Sequence, residues 1–334
     1  MRATRIYLIV LVSFAGSIFG LVALSIVARF SGPEVLGVFA YWMAFAVTFG
    51  MPLSLDLETA HLKIYATSTD VASRARFLGA FALLKIVLIL SAAGTLTLAV
   101  ALGLQKYVQG EINEEYIVLG IVFASSVVAC AASIPLATLA ASNLTAKQQI
   151  STISGSLLKS SLLAVFGLLM LGAAFLGLAY LIGSLATIMV GVLFIRRYHV
   201  SFPRREDIRY YLNVGGPLMF APIFTAALIN VDKIVLGTYW STSEVGVYFF
   251  VQSFAIALMF VGRAMRMVFI PGFSEDLRKG LRDKVESQSR EAVRYINLIA
   301  VPSIVFIGLF SGPFFEFLLG SDYDVAGVYL AKRS

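Results

Sequence analysis

Charge is what this sequence has least of. Asp, Glu, Lys and Arg make up 13% of its 334 residues, against roughly 25% in a soluble domain. Hydrophobic residues make up 59%, and the mean hydropathy is +0.88. So few charges cannot cover a water-facing surface, which excludes an ordinary soluble globular protein. Cysteine is nearly missing as well: a lone Cys130 excludes internal disulfides and says nothing about compartment. With two His and one Cys, no protein metal site is expected, and no cofactor is implied. The chain has no phosphate-binding Gly-Lys-Ser/Thr loop, so it carries no built-in ATPase of that kind. The alternating segments of about ten residues that mark a membrane β-barrel are missing too, because the apolar runs are continuous.

What is present is a succession of those runs. A helix needs about 20 apolar residues to cross the hydrocarbon, and the sequence predicts nine full spans and the start of a tenth. They run over 6–28, 35–57, 77–103, 116–142, 150–171, 174–195, 211–237, 245–268 and 292–311, with the last apolar start near Val325. The first run is too long for the core of a secretory signal and no small-residue cleavage site follows it, so it reads as the first span. The fold class expected is an all-α polytopic membrane protein.

The charges, though few, are sorted. Alternate loops are basic: Arg2 and Arg5; Lys63, Arg74 and Arg76; Lys147; Arg196, Arg197, Arg204, Arg205 and Arg209; then Arg278 to Arg294. The intervening turns hold Glu34, Glu111, Glu114, Glu115, Glu244, Asp322 and Asp324, with Arg29 and Lys106 the basic residues nearby. Lys and Arg concentrate in cytoplasmic loops, so the net charge of +7 reports orientation, with the N-terminus cytoplasmic, and not a nucleic-acid partner. The polar stretch 274–294 is expected to lie as a surface helix against anionic head groups.

The chain also repeats itself. "PEVLGVFAYWMAF" from Pro33 and "SEVGVYFFVQSF" from Ser243 run in step if Leu36 is dropped as a one-residue gap, with Glu34 on Glu244 and Gly37 on Gly246. Six spans separate the copies, so both enter the membrane in the same direction, as parallel repeats do. The expected organisation is a first six-helix bundle over 1–200 and a second, incomplete bundle of about four helices over 201–334, around a central cavity. A full second half would end near residue 407, so two to three helices are expected to be missing.

Ionisable groups inside spans are costly and need a reason. Lys85 and Lys159 lie about eight and nine residues into spans three and five, roughly 12 Å deep at 1.5 Å per residue. Each is either turned to a polar cavity or snorkels to the interface. Asp232 and Lys233 sit in the outer third of span seven, which Pro217 and Pro222 should kink. Asp232 is either the partner of a cavity cation or a helix-end residue. Arg29 holds the matching place at the end of span one. Asp56, Glu58, His61 and Lys63 crowd one end of span two, which a solvated helix end also explains. Arg263 and Arg266 share a helix face and are either phosphate ligands at the cavity mouth, with Lys63, or ordinary anchors.

"RFSGPEVLGVFA" from Arg29, "GGPLMFAP" from Gly215, "VDKIVLGTYWSTSEVGVYFF" from Val231 and "LLGSDY" from Leu318 together resemble the polysaccharide-transport flippases of the multidrug, oligosaccharidyl-lipid and polysaccharide exporter superfamily. The resemblance runs the length of the chain. It implies two helical bundles around a cavity, a plasma-membrane location, and export of a lipid-linked oligosaccharide. Membrane lipids are then neighbours, and glycan-assembly enzymes are further partners. It also implies that cationic residues meet the pyrophosphate, a role carried over to Arg29, Lys85, Lys159 and Lys233. The alternative is a cation-coupled exporter of drugs or metabolites, which would want carboxylates deep in the first bundle; spans one, three, four, five and six have none at their middles. A membrane enzyme is disfavoured, because the loops are too short to carry acid–base or metal-binding groups.

Overall fold

A computed structural model describes residues 2–50, 53, 55–68, 70–102, 112–219, 221–258, 281–294, 297–298, 301–302 and 305, without the side chains of 2–14, 112–115 and 218–223. These residues are mostly helical, with no strand among them. Among the described residues, five helices are long and apolar enough to cross a membrane.

The first, α1 (Arg2–Phe49), is two helices joined at one residue. Gly32 has φ 81° and ψ 167°, a backbone conformation essentially open to glycine alone. Pro33 follows as the first residue of the second arm, where its missing N–H costs nothing. The two expected spans, 6–28 and 35–57, are these two arms. The second arm is shorter than expected and ends at Phe49. The polar run after it becomes a separate short helix, α2 (Glu58–Thr67), started by Asp56, whose carboxylate accepts from the Thr59 amide (3.0 Å) and hydroxyl (2.7 Å).

α3 (Val71–Ala101) begins earlier than hydropathy suggests, because Asp70 caps it through the amides of Ala72 and Ser73. Then come α4 (Ile112–Ala141), α5 (Thr145–Leu168) and α6 (Ala173–Ile195). Over span seven the described residues form α7 (Arg205–Met219), which holds Pro217, and α8 (Ala221–Tyr239), which holds Pro222. α9 (Thr242–Leu258) follows a turn in which Ser241 and Glu244 exchange side-chain to backbone hydrogen bonds, both 3.3 Å, a capping box. Residues 282–294 are helical and mostly exposed, in keeping with the expected surface helix over the part described. The rest of span nine and the start near Val325 fall mainly or wholly outside the described residues.

α1 is the centre of the molecule, packed against α4, α5, α8 and α9. The largest core cluster gathers Tyr41, Trp42 and Phe45 from its second arm, Ala23, Val27 and Ala28 from its first, and Val245, Phe249 and Phe250 from α9. The tightest approach in it is between the repeated stretches. A Cβ on Gly37 would overlap the carbonyl oxygen of Thr242, and a Cβ on Gly246 would overlap that of Pro33. The contact is reciprocal, as a two-fold axis requires, and both pairs are separated by 209 residues. Gly237 likewise leaves room only for the Tyr41 ring, and the residues 209 positions away, Ala28 and Phe250, are both fully buried in the same cluster.

The gap at Leu36 is therefore not needed. The helical register runs unbroken at 209, with Pro33 and Thr242 as the first residues of their helices. Glu34 then matches Ser243, and Val35 matches Glu244. The likeness of the two glutamates in sequence comes from their turns and not from their place in the repeat.

Candidate functional site

Among the described residues, the basic loops lie at the opposite ends of the helices from the turns that hold Glu34 and Glu244, and the two halves touch at both ends. At the acidic end the contact is the crossing of α1 and α9. At the basic end α7 packs on α2 and α3. Ser201 donates to the carbonyl of Ala75 (3.0 Å), and Gly79 has no room for a Cβ beneath the Ser201 carbonyl. Arg76 pairs with Asp207 at 3.6 Å.

The innermost part of this contact is His61, fully buried. Its Nδ1 is 2.6 Å from the Tyr211 hydroxyl and its Nε2 is 3.1 Å from Thr138 Oγ1. Thr138 gives its own proton to the Ile134 carbonyl (2.8 Å), so it receives one from Nε2. Nδ1 faces the Tyr211 hydroxyl, whose single proton is within reach of both Nδ1 and the Phe77 carbonyl (3.2 Å). Burial pushes the imidazole pKa down to about 3, so His61 is uncharged at neutral pH.

One ring away lies the buried cation. Lys85 is 1% exposed, and its ammonium donates to Glu58 Oε1 at 2.7 Å. It also stands over the Phe81 ring (5.8 Å), and that ring stacks on His61 (4.2 Å between centroids). A buried cation needs a partner in this medium, and Glu58 supplies it. Glu58 in turn lines a cavity of about 310 Å³ with Val47, Gly50, Leu53, Ser126, Cys130 and Ser133. The four polar residues grouped at the end of span two therefore separate: Asp56 starts a helix, Glu58 enters the cavity wall, His61 is buried in the contact between halves, and Lys63 is exposed.

The other expected site residues are dispersed. Lys159 stands over the Tyr180 ring at 4.6 Å, wedged where α5 and α6 cross, and Tyr180 packs on Phe39 (5.1 Å). Arg29 is exposed near the bend of α1. Arg263 and Arg266 lie outside the described residues. Asp232 and Lys233 belong to a network between α8 and α9. The Lys233 ammonium donates to the Ile229 carbonyl and to Gln252 Oε1, both at 2.6 Å, and lies 3.7 Å from Asp232 Oδ1. Asp232 Oδ2 accepts from the Tyr248 hydroxyl and from Gln252 Nε2 (3.3 Å).

Lys85, Lys159 and Lys233 thus hold three different sets of partners. Sequence reasoning missed Glu58 as the partner of Lys85, Tyr211 as the partner of His61, and Gln252 and Tyr248 beside Asp232. The last three are polar residues inside apolar runs, and that signal was present in the sequence.

Solved structures share this fold. The chain superposes on an inward-facing multidrug resistance MATE family transporter of the MOP superfamily (TM-score 0.69, 15% identity, covering 95% of this chain and 75% of that one). It also superposes on the lipid II flippase MurJ in an inward closed conformation (TM-score 0.72, 17% identity, 97% and 71%), and on a MOP superfamily transporter from Pyrococcus furiosus with a binding pocket of reverse polarity (TM-score 0.61, 17% identity, 98% and 78%). A comparison with curated proteins gave no match. The fold is shared with transporters of the MOP superfamily and with a lipid II flippase. Residues 26–327 match the model of the polysaccharide biosynthesis protein family, and the chain belongs to that family.

Proposed function

We propose that this chain moves a lipid-linked oligosaccharide, or a polysaccharide repeat unit, from the cytoplasmic to the outer leaflet of the plasma membrane, with its N-terminus in the cytoplasm. The observation that supports this reading is the buried Lys85 ammonium paired with Glu58, whose side chain lines the cavity. A pyrophosphate cannot enter hydrocarbon unaided, and a cavity cation replaces its hydration. The lipid tail stays in the bilayer between the bundles, 1–200 and 201–334. An inside-negative potential favours outward movement of the anion by roughly 2.3 kcal/mol per charge per 100 mV.

The chain's own residues suggest how binding is coupled to opening. α2 carries Glu58 and His61 three residues apart, on one face. Glu58 holds the buried Lys85 ammonium, and His61 holds Tyr211 of the other half. An anionic head group that takes Lys85 releases Glu58, which frees α2 to move and loosens the His61–Tyr211 contact. The two closed contacts, at Gly37–Gly246 and at His61–Tyr211, then open in turn. Arg29, Lys159 and Lys233 remain further candidates for the cargo path, with Lys63, Arg263 and Arg266 at its mouth.

A cation-coupled exporter gains one supporting observation, since Glu58 is a carboxylate in the cavity wall of the first bundle. It is already neutralised by Lys85, which favours an anionic cargo. Transport in proteoliposomes separates the two: the flippase reading requires movement of a labelled lipid-linked oligosaccharide, abolished by Lys85→Ala. Efflux of organic cations without glycan movement would overturn it.

A further inference from the structure

The repeat shows which polar groups the fold does not need. Shifting by 209 residues, Asp232, Lys233, Tyr248 and Gln252 fall on Ala23, Leu24, Phe39 and Met43. Ala23, Leu24 and Phe39 are buried in the main apolar cluster, and Met43 packs against it. The same helix pair is thus closed by hydrocarbon in the first half and by a charged network in the second. Placing a charge within a membrane helix costs on the order of 3 kcal/mol. A network present on one side only of the pseudo-two-fold axis is not there for packing.

Its geometry defines a ligand. The Lys233 ammonium has three N–H groups, and two are used by the Ile229 carbonyl and Gln252 Oε1. The third faces Asp232 Oδ1 across 3.7 Å, too long for a hydrogen bond. Oδ1 itself receives the Lys233 amide (2.9 Å) and has a second lone pair. An oxygen about 2.8 Å from each would have to accept from the ammonium and donate to the carboxylate. A hydroxyl does both. A phosphate oxygen only accepts, and it would meet the negative Asp232. Lys233 is 3% exposed whereas the Asp232 side chain is 28% exposed, so the approach is from the carboxylate side.

We infer that the α8–α9 quartet reads a sugar hydroxyl of the cargo, and that Lys233 is not a ligand of the pyrophosphate. Tyr248 and Gln252 are positioning residues: they hold the carboxylate and the ammonium apart at the bridging distance. This rests on the flippase reading and adds to it a division of labour, with charge met at Lys85 and sugar at Asp232 and Lys233.

The test uses the full chain in nanodiscs and three probes: a polyprenyl pyrophosphate, the same lipid carrying one N-acetylhexosamine, and the methyl glycoside of that sugar. The wild type should bind the sugar-bearing lipid about tenfold more tightly than the bare one, the equivalent of one to two hydrogen bonds. Tyr248→Phe and Gln252→Leu should remove that difference and leave the bare lipid's affinity unchanged. Equal wild-type affinity for the two lipids would overturn the inference, as would a parallel fall for both in the variants. If Gln252→Leu does not fold, Tyr248→Phe, which removes one oxygen, still decides, and the wild-type comparison needs no variant. Binding of the glycoside with no binding of the bare lipid would leave the quartet standing and refute the flippase reading.

Discussion

Gly37 and Gly246, 209 residues apart in the chain, meet at the crossing of α1 and α9, each pressed against the backbone of the other's helix. The contact relates the two halves as a two-fold axis would, and it closes the molecule at its acidic end. Two carbonyl groups, of Thr242 and Pro33, occupy the space that side chains would need.

Gly37→Ala and Gly246→Ala should therefore each destabilise the protein by about 1–3 kcal/mol, the usual cost of overpacking. Because both act on one crossing, the double variant should lose clearly less than the sum. Thermal melting in detergent measures this. Additive losses would mean that the two glycines belong to separate contacts.

Gly32→Ala is expected to cost about 1–3 kcal/mol for a different reason. The site has open space around it, but its φ of 81° with ψ 167° strains any residue with a side chain. A melting temperature unchanged by this substitution would show that the bend of α1 does not need glycine.

Lys85 and Glu58 should show the asymmetry of a buried pair. Removing one partner leaves a charge uncompensated and costs about 3–5 kcal/mol. Glu58 is partly exposed, with 33% of its side chain accessible, so loss of Lys85 should lie at or below the lower end. The double variant Lys85→Met/Glu58→Gln should be more stable than Lys85→Met alone and still transport nothing. Retained transport would take Lys85 out of the cargo path.

His61 gives the contact between halves a pH dependence of known sign. Its folded pKa lies below its unfolded value, so the unfolded chain binds the extra proton between about pH 6.5 and 3. Stability is unaffected above that window and falls as pH drops through it, by at most about 1.4 kcal/mol per unit. Melting from pH 7.5 to 5 should show this slope in the wild type, and His61→Gln should flatten it. An unchanged slope in the variant would assign it to other groups.

The span pattern and the repeat were legible because both rest on hydropathy, which the bilayer enforces. The bend at Gly32 was legible through Pro33. The end of the second arm at Phe49 was not, because "MPLSLDL" stays apolar after the helix stops. The repeat's register was misplaced by one residue at Glu34, because two glutamates in similar turns outweighed the helix starts. Lys85 was legible as a buried cation, but its partner was not: Glu58 lies 27 residues away and sits among other polar residues that a helix end also explains. The Asp232 network needed α9 folded back on α8 before Tyr248 and Gln252 became its members.

Cys130, the sole cysteine, is buried and lines the cavity beside Glu58, so its alkylation reports access to the proposed site. In proteoliposomes a charged, membrane-impermeant thiol reagent should modify Cys130 in the wild type. A polyprenyl pyrophosphate should slow that reaction at least severalfold, and Lys85→Gln should abolish the protection. Modification that is indifferent to the pyrophosphate in the wild type, or equally protected in Lys85→Gln, would contradict the assignment of Lys85 as the cation that receives the cargo.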